Sequence, residues 1–529
     1  MEFNPSFPTT VAVTFLVIAV AFLFYVANRK RAKKGKKREP PQANGAWPII
    51  GHLHLLGGSN PPHKVLGDMA DKHGPIFTIK LGIHQALVVS NSEIAKDCFT
   101  TNDKVLASRP KAEAVKILTN NYALFGFTPY GDYWRQVRKM VMLEVLSQRR
   151  VEMLGGIRVS EVRASIKDLY DAWEEKKESE HSDMVKVEMN HWFGNLMLNI
   201  MVRIISGKKL LHNDEERVRF QAVVKKFVHL LGVFVVSDYI PYLKCLDVGG
   251  HFNVMKKITR DLDDIFEGWL KEPKTDSEST QQRESSQAFI NVLVSTLQSA
   301  SEEDFPGFDH DTIIKATCQQ LLIAGLDTTS VTLTWALSLL LNNPKSLEIV
   351  QDEIDEHVGR DRPVEESDIK NLVYLDAVIK ETLRLYPPAP LSVPHESMED
   401  CIVGGYNIPK GTRLLVNLSK MQRDPNIWSD PLEFRPERFL TTHKDIDLKG
   451  NHFELLPFGS GRRMCPGISF GLLSLGLTLA SLIQQFVLQK PSNEPMDISE
   501  SSGLINSKET PLVVFLSPRL SSNMYRVGS

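Results

Sequence analysis

Near the carboxyl end of this 529-residue chain stands Phe458-Gly459-Ser460-Gly461-Arg462-Arg463-Met464-Cys465-Pro466-Gly467, followed at once by an apolar helical stretch from Ile468 to Leu488. Few folds accept that order. Gly461 permits a tight turn, and the loop then delivers one sulfur to the mouth of a helix. There, free backbone N–H groups and the positive end of the helix dipole favour a thiolate. A thiolate so placed is suited to binding iron. The other cysteines, Cys98, Cys245, Cys318 and Cys401, show no C-x-x-C spacing, which speaks against a disulfide scaffold or a zinc site. Most of them are expected to be reduced, buried thiols.

The residues around Cys465 suit a planar iron macrocycle. Gly467 lets a flat ligand approach, Arg463 offers a cation to a haem propionate, and Phe458 shields the sulfur from water. A second constraint comes from the middle of the chain. Asp309 is a plausible N-cap for a helix that runs to Asn342, just before Pro344, a length of about 50 Å. In its centre lies Ala324-Gly325-Leu326-Asp327-Thr328-Thr329-Ser330, a cluster of poor helix formers in an apolar setting. Gly325 is expected to let a flat ligand reach the backbone. The threonine hydroxyls are expected to bond carbonyls of the preceding turn and distort the helix locally.

Charge is distributed unevenly. Residues 29 to 38 carry eight Lys or Arg and no acid, and the rest of the chain has 54 basic against 64 acidic residues. A basic tail suggests nucleic acid until the preceding segment is read. From Phe7 to Ala27 there are 21 residues without a charge, about 31 Å as a helix and enough to cross a bilayer. The positive charges follow this run instead of preceding it, so it reads as a retained anchor with the remainder facing the cytosol. Elsewhere, residues 76 to 90 have the β-branched runs and central glycine of a hairpin, and residues 401 to 418 repeat that pattern around Gly404-Gly405 and Lys410-Gly411. The polar stretch from Lys271 to Ser286 reads as a surface loop.

Phe458, Gly461, Arg463, Cys465 and Gly467 together closely resemble the haem-binding signature of the cytochrome P450 superfamily. Glu381-Thr382-Leu383-Arg384 resembles its E-x-x-R motif, Phe434 to Phe439 its P-E-R-F segment, and Trp134 with Arg138 its W-x-x-x-R pair. Ala46-Trp47-Pro48-Ile49-Ile50-Gly51 and Leu124 to Gly131 are similar to phrases of plant microsomal members, closest to family eighty-two.

The resemblance implies a mainly α fold with a small β-rich subdomain and an N-terminal transmembrane helix. The chain divides into a membrane anchor (1–28), a basic and proline-rich linker (29–51) and the catalytic domain (52–529). Cys465 is then the axial ligand of haem b, with Trp134, Arg138, Arg463 and His395 toward the propionates. His395 stands where many relatives have Arg. Glu381, Arg384 and Arg438 form a structural charge network. Thr328 and Asp327 deliver protons, and Phe125, Phe127, Leu321, Ala324, Leu391 and Val393 line the substrate pocket.

The implied activity is insertion of one oxygen atom from O2 into a lipophilic specialised metabolite, with a flavonoid or diterpenoid ring expected. The chain has no G-x-G-x-x-G after a strand and no room for a flavin domain, so electrons from NADPH must come through a separate NADPH-cytochrome P450 reductase. Arg138, Lys139, Arg462 and Arg463 are expected to dock it, at the endoplasmic reticulum membrane. Two rivals stand beside this reading. One is a reductase-independent isomerase or dehydratase of the same fold, the other a haem sensor without catalysis.

Overall fold

The computed structural model describes residues 38–209, 215–233, 235–242, 247, 249–271 and 288–526. The expected anchor at 1–28, Cys245 and nearly all of the polar stretch after Lys271 lie outside the described residues. Among the described residues, His310–Asn342 and Ile468–Gln485 are long and apolar enough to cross a membrane, but both are mostly buried inside the domain.

Helices dominate, and His310–Asn342 is the axis of the domain. Its start and stop follow the sequence reading. The Asp309 carboxylate accepts from Thr312 N at 2.8 Å, and Pro344 opens the next helix. Helix Met189–Ser206 lies along it, and the helix that follows the cysteine loop, Ile468–Gln485, packs on it in turn. These three helices contribute much of one continuous apolar core. The expected distortion of the long helix is not seen. Thr328 Oγ1 bonds Ala324 O at 2.6 Å and Thr332 Oγ1 bonds Thr328 O at 2.7 Å, yet the helix continues unbroken. Each hydroxyl adds a second donor to a carbonyl without displacing its backbone partner.

The β structure is small. Ile76–Leu81 and His84–Val89 form the expected antiparallel hairpin, which turns through Gly82 at φ +59°. Cys401–Val403 and Tyr406–Ile408 form the second, turning through Gly404 and Gly405 at φ +55° and +77°. Past Gly411 the chain does not extend that hairpin. Arg413–Val416 crosses to the first sheet, where it pairs in parallel with His84–Val89 and antiparallel with His395–Glu396. Residues 41–51 are not a free spacer. Ala43 N bonds Thr78 O at 2.9 Å and its side chain is buried, because the proline-rich segment lies along the sheet edge. Asn417 is buried, donating to His63 O at 2.8 Å.

Behind the cysteine loop sits a network with no solvent contact. Arg384 Nε and Nη2 bond the two carboxylate oxygens of Glu381 at 2.7 and 2.8 Å, and Arg438 Nε bonds Glu381 Oε1 at 3.0 Å. The i,i+3 spacing on helix Val373–Leu385 puts the first pair on one face. Arg384 Nη1 also donates to Gln422 O at 3.0 Å, and the Gln422 side chain accepts from Leu456 N at 2.9 Å. A chain of hydrogen bonds thus runs from the charge network into the segment that leads to Cys465.

Candidate active site

A cavity of about 1050 Å³, including its open mouth, lies between the long helix and the cysteine loop. One wall is built by Phe458, Arg463, Cys465, Pro466 and Gly467, and the facing wall by Gln320, Leu321, Ala324, Gly325, Thr328 and Thr332.

The cysteine loop is shaped by its glycines. Gly461 has φ +65°, and a Cβ there would lie 2.9 Å from Phe99 O and closer still to the Asp103 carboxylate. No larger residue fits. Cys465 N bonds Phe458 O at 2.9 Å, and Gly467 N points at Cys465 Sγ from 3.4 Å. Helix Ile468–Gln485 starts one residue later. Burial pushes the Cys465 thiol up, against the opposing pull of the Gly467 N–H and of Arg138. The helix mouth would share the work of holding a thiolate with the iron that the sulfur binds. Cys98 and Cys318 are buried thiols pushed up by burial, as expected.

Three arginines meet at one end of the cavity. Arg463 donates to Ala107 O at 2.7 Å, Phe125 O at 3.2 Å and Thr128 O at 2.6 Å, while its guanidinium lies 4.2 Å from the centre of the Trp134 ring. Arg138, one turn after Trp134, donates to Met464 O at 2.5 Å. Arg109 donates to Gly126 O at 3.1 Å and to Val393 O and Pro394 O at 2.7 and 2.9 Å. All partners are neutral carbonyls, and no carboxylate pairs with any of the three among the described residues. Burial pushes Arg463 down to about 8 and Arg109 down to about 9, and in Arg463 the other two arginines add to it. A guanidinium resists deprotonation, so the shift measures the want of an anion. Two carboxylates of a planar macrocycle fit that want. A bare metal does not, since no cluster of three or more His, Cys, Asp or Glu is found among the described residues.

Arg109 had no signal in the sequence. It precedes Pro110 in an irregular segment and meets Arg463 only through the fold. His395 is buried and off the cavity wall, with Nδ1 at 2.7 Å from Leu106 O. Burial, then Arg109, push it well below its usual range, so it is neutral there. Two of the residues expected to dock a reductase are also elsewhere. Arg138 and Arg463 line the cavity, whereas Lys139 and Arg462 are exposed, the latter paired with Asp103 at 2.9 Å.

The pocket expectation holds for Phe125, Leu321 and Ala324. Phe127 packs against the main core, and Leu391 against the core of the four-stranded sheet. Val393 uses its carbonyl to hold Arg109. Gly325 lines the cavity, but its missing Cβ points at Met201, whose Sδ would be 2.7 Å away. The glycine thus admits the crossing helix Met189–Ser206, instead of clearing backbone for a flat ligand. Thr328 faces the cavity. Asp327, the next residue round the helix, is absent from its lining, and burial pushes its carboxyl up to about 6 against a weaker pull from Lys225.

Comparison with known proteins agrees with this geometry. The profile of the family described as cytochrome P450 matches residues 40–515. Strychnine-10-hydroxylase of Strychnos nux-vomica is 49% identical over 99% of this chain and 100% of its own. Flavonoid-6-hydroxylase of Mentha piperita is 48% identical, with 99% and 100% covered. Among solved structures, a zebrafish cytochrome P450 with progesterone superposes with a TM-score of 0.71 at 26% identity, covering 87% of this chain and 100% of that one. Relatives named cytochrome P450 82A1 of Pisum sativum and 82A4 of Glycine max, at 47% and 48% identity, agree with the resemblance to family eighty-two. With the family profile matching residues 40–515 of the 529 and relatives at 48–49% identity over nearly the whole chain, the chain belongs to the cytochrome P450 family.

Proposed function

We propose that this haem-dependent monooxygenase hydroxylates a flat, ring-based plant metabolite, with a flavonoid as the best-supported class. The observation that carries the reading is the cavity itself. Its lining is mostly apolar, and its polar groups converge at two places, the arginine end and the row of Gln320, Thr328 and Thr332. Two relatives bear the name flavonoid-6-hydroxylase, which favours a flavonoid over a diterpenoid.

An iron porphyrin bound between Cys465 and the long helix supplies oxygen activation, with electrons from NADPH passed on by NADPH-cytochrome P450 reductase. The chain's own residues do the rest. Cys465 provides the sulfur ligand, Phe458 keeps water from it, and Arg109, Arg138 and Arg463 neutralise the propionates. Thr328 commits its own proton to Ala324 O, so the oxygen lone pairs remain toward the cavity to accept from a water. Asp327, with a carboxyl near 6, is mostly charged at neutral pH with about a tenth of it protonated, and so can exchange protons with the medium. A reductase-independent isomerase needs neither group, and the pair favours the monooxygenase over it and over a sensor.

Lys139 and Arg462 are the remaining candidates for reductase docking by charge. Residues 1–28 hold the protein at the endoplasmic reticulum membrane as a single-pass anchor, with the catalytic domain in the cytosol. Deleting them is expected to release much of the protein from membranes with haem binding intact. A truncated protein that is soluble but cannot bind haem would break that separation.

The test of mechanism measures NADPH consumption, peroxide and product together with excess reductase. Thr328→Ala should keep the thiolate spectrum of the reduced, carbon monoxide-bound protein and divert electrons to peroxide, with product per NADPH falling about tenfold. Thr328→Ser, which keeps the hydroxyl, should be much milder. Unchanged coupling in the alanine variant would remove Thr328 from proton delivery.

A further inference from the structure

Gln320 is a polar side chain in an apolar wall. It is 9% exposed, lines the cavity, and stands on the same face of the long helix as Ala324 and Thr328, at successive intervals of four. Its amide is held in one orientation. Gly126 N donates to Gln320 Oε1 at 3.1 Å, and a backbone N–H can pair only with the oxygen end of an amide. The amide lies so close to Gly126 that a Cβ there would be 2.6 Å from Oε1 and 3.1 Å from Nε2. Arg109 in turn holds the next peptide through Gly126 O, at 3.1 Å. The oxygen of Gln320 is therefore occupied, while its Nε2, which makes no hydrogen bond to another described residue, opens to the cavity.

An amide N–H₂ fixed in one orientation and open to a mostly apolar cavity is a preorganised donor for an acceptor on the ligand that fills it. From these contacts we infer that Gln320 is a specificity-determining donor, which takes a ring carbonyl oxygen of the substrate. Eight residues separate Gln320 from Thr328, two turns or roughly 12 Å along the axis, with only the Ala324 methyl between them. The arrangement makes a flat slot with a hydrogen-bond donor at one end and the reacting region at the other. A planar ketone held at Gln320 presents its far edge to Thr328, so the donor sets which ring position is oxidised. This inference rests on the ring-metabolite reading above and deepens it.

The test pairs flavone, which has a ring carbonyl, with flavan, which lacks it. Displacement of the ferric haem's water ligand is followed optically in the wild type and in Gln320→Glu. The glutamate keeps an acceptor for Gly126 N and removes the free donor. Flavone should bind the variant about ten- to hundredfold more weakly than the wild type, and flavan equally well to both. Gly126→Ala, which displaces the amide, should reproduce the selective loss. Gln319→Leu, at the neighbouring buried glutamine outside the lining, should not. The thiolate spectrum with carbon monoxide reports that each variant is folded and loaded. Equal losses for both ligands, or no loss for either, would overturn the inference. If neither ligand perturbs the wild-type spectrum, the ring-carbonyl reading fails and the inference falls with it. A wild type that binds flavone while Gln320→Glu binds it equally well overturns the inference alone.

Discussion

Two groups of buried arginines stand on either side of the cysteine loop, and they are built on opposite principles. Arg384 and Arg438 share the carboxylate of Glu381 at 2.7 to 3.0 Å, so each buried cation has an anionic partner within the chain. Arg109, Arg138 and Arg463 have only carbonyls. Burying an ion costs several kcal/mol, which a partner must offset. Where the partner is part of the chain, the cluster belongs to the architecture. Where it is missing, the cluster is a binding site for an anion.

The largest expected effect comes from breaking the paired group. Glu381→Gln leaves two arginines facing each other without a carboxylate, and stability should fall by about 3–5 kcal/mol, read as lost folded protein in thermal unfolding. A normal melting curve for that variant would contradict the architectural role. Arg463→Met should do the reverse in haem-free protein. Removing an unpaired buried cation should leave stability equal or higher, while haem retention, followed by transfer to a haem scavenger, weakens by about tenfold or more. Parallel losses of stability and haem would show that the arginine end is structural after all.

Asp327 extends the contrast to a buried anion. Its carboxyl is raised from 3.8 to about 6, so the folded state disfavours its charge. The protein should therefore lose stability as pH rises from about 4 to about 6, with no further loss from this group above that. Asp327→Asn should stabilise it at pH 7 by on the order of 1 kcal/mol and leave it unchanged near pH 3. Equal unfolding at both pH values would mean that the carboxylate has a partner.

The sequence revealed features whose partners are close along the chain. The Asp309 cap, the Glu381–Arg384 pair, the Trp134–Arg138 pair and the glycine turns at 82 and 404–405 all depend on spacings of five residues or fewer. Arg109 and Gln320 escaped because each acquires its meaning from a distant contact: Arg109 at a backbone carbonyl of Pro394, Gln320 at the amide of Gly126. Gly325 was misread for the same reason, since its neighbour Met201 lies on another helix. Arg138 and Arg463 were expected both at the propionates and at a reductase-docking face, because a basic residue carries no mark of burial in the sequence, and the structure puts both on the cavity wall. His395 faces Leu106 O, a partner that no local pattern announces.

The parallel pairing of Ala86 with Arg413 has a consequence for how the protein is made. Those residues are 327 positions apart in the chain. At ribosomal speeds of about 5–20 residues per second, the hairpin of residues 76–89 waits roughly 15 to 65 seconds after synthesis before its neighbouring strand exists. During that interval it presents an open edge, the kind that joins other chains in aggregates. The thiol at Cys465 emerges later still, so the prosthetic group can be captured only by a nearly finished chain. Expression yield should therefore be limited by that waiting nascent edge, and not by the stability of the finished enzyme.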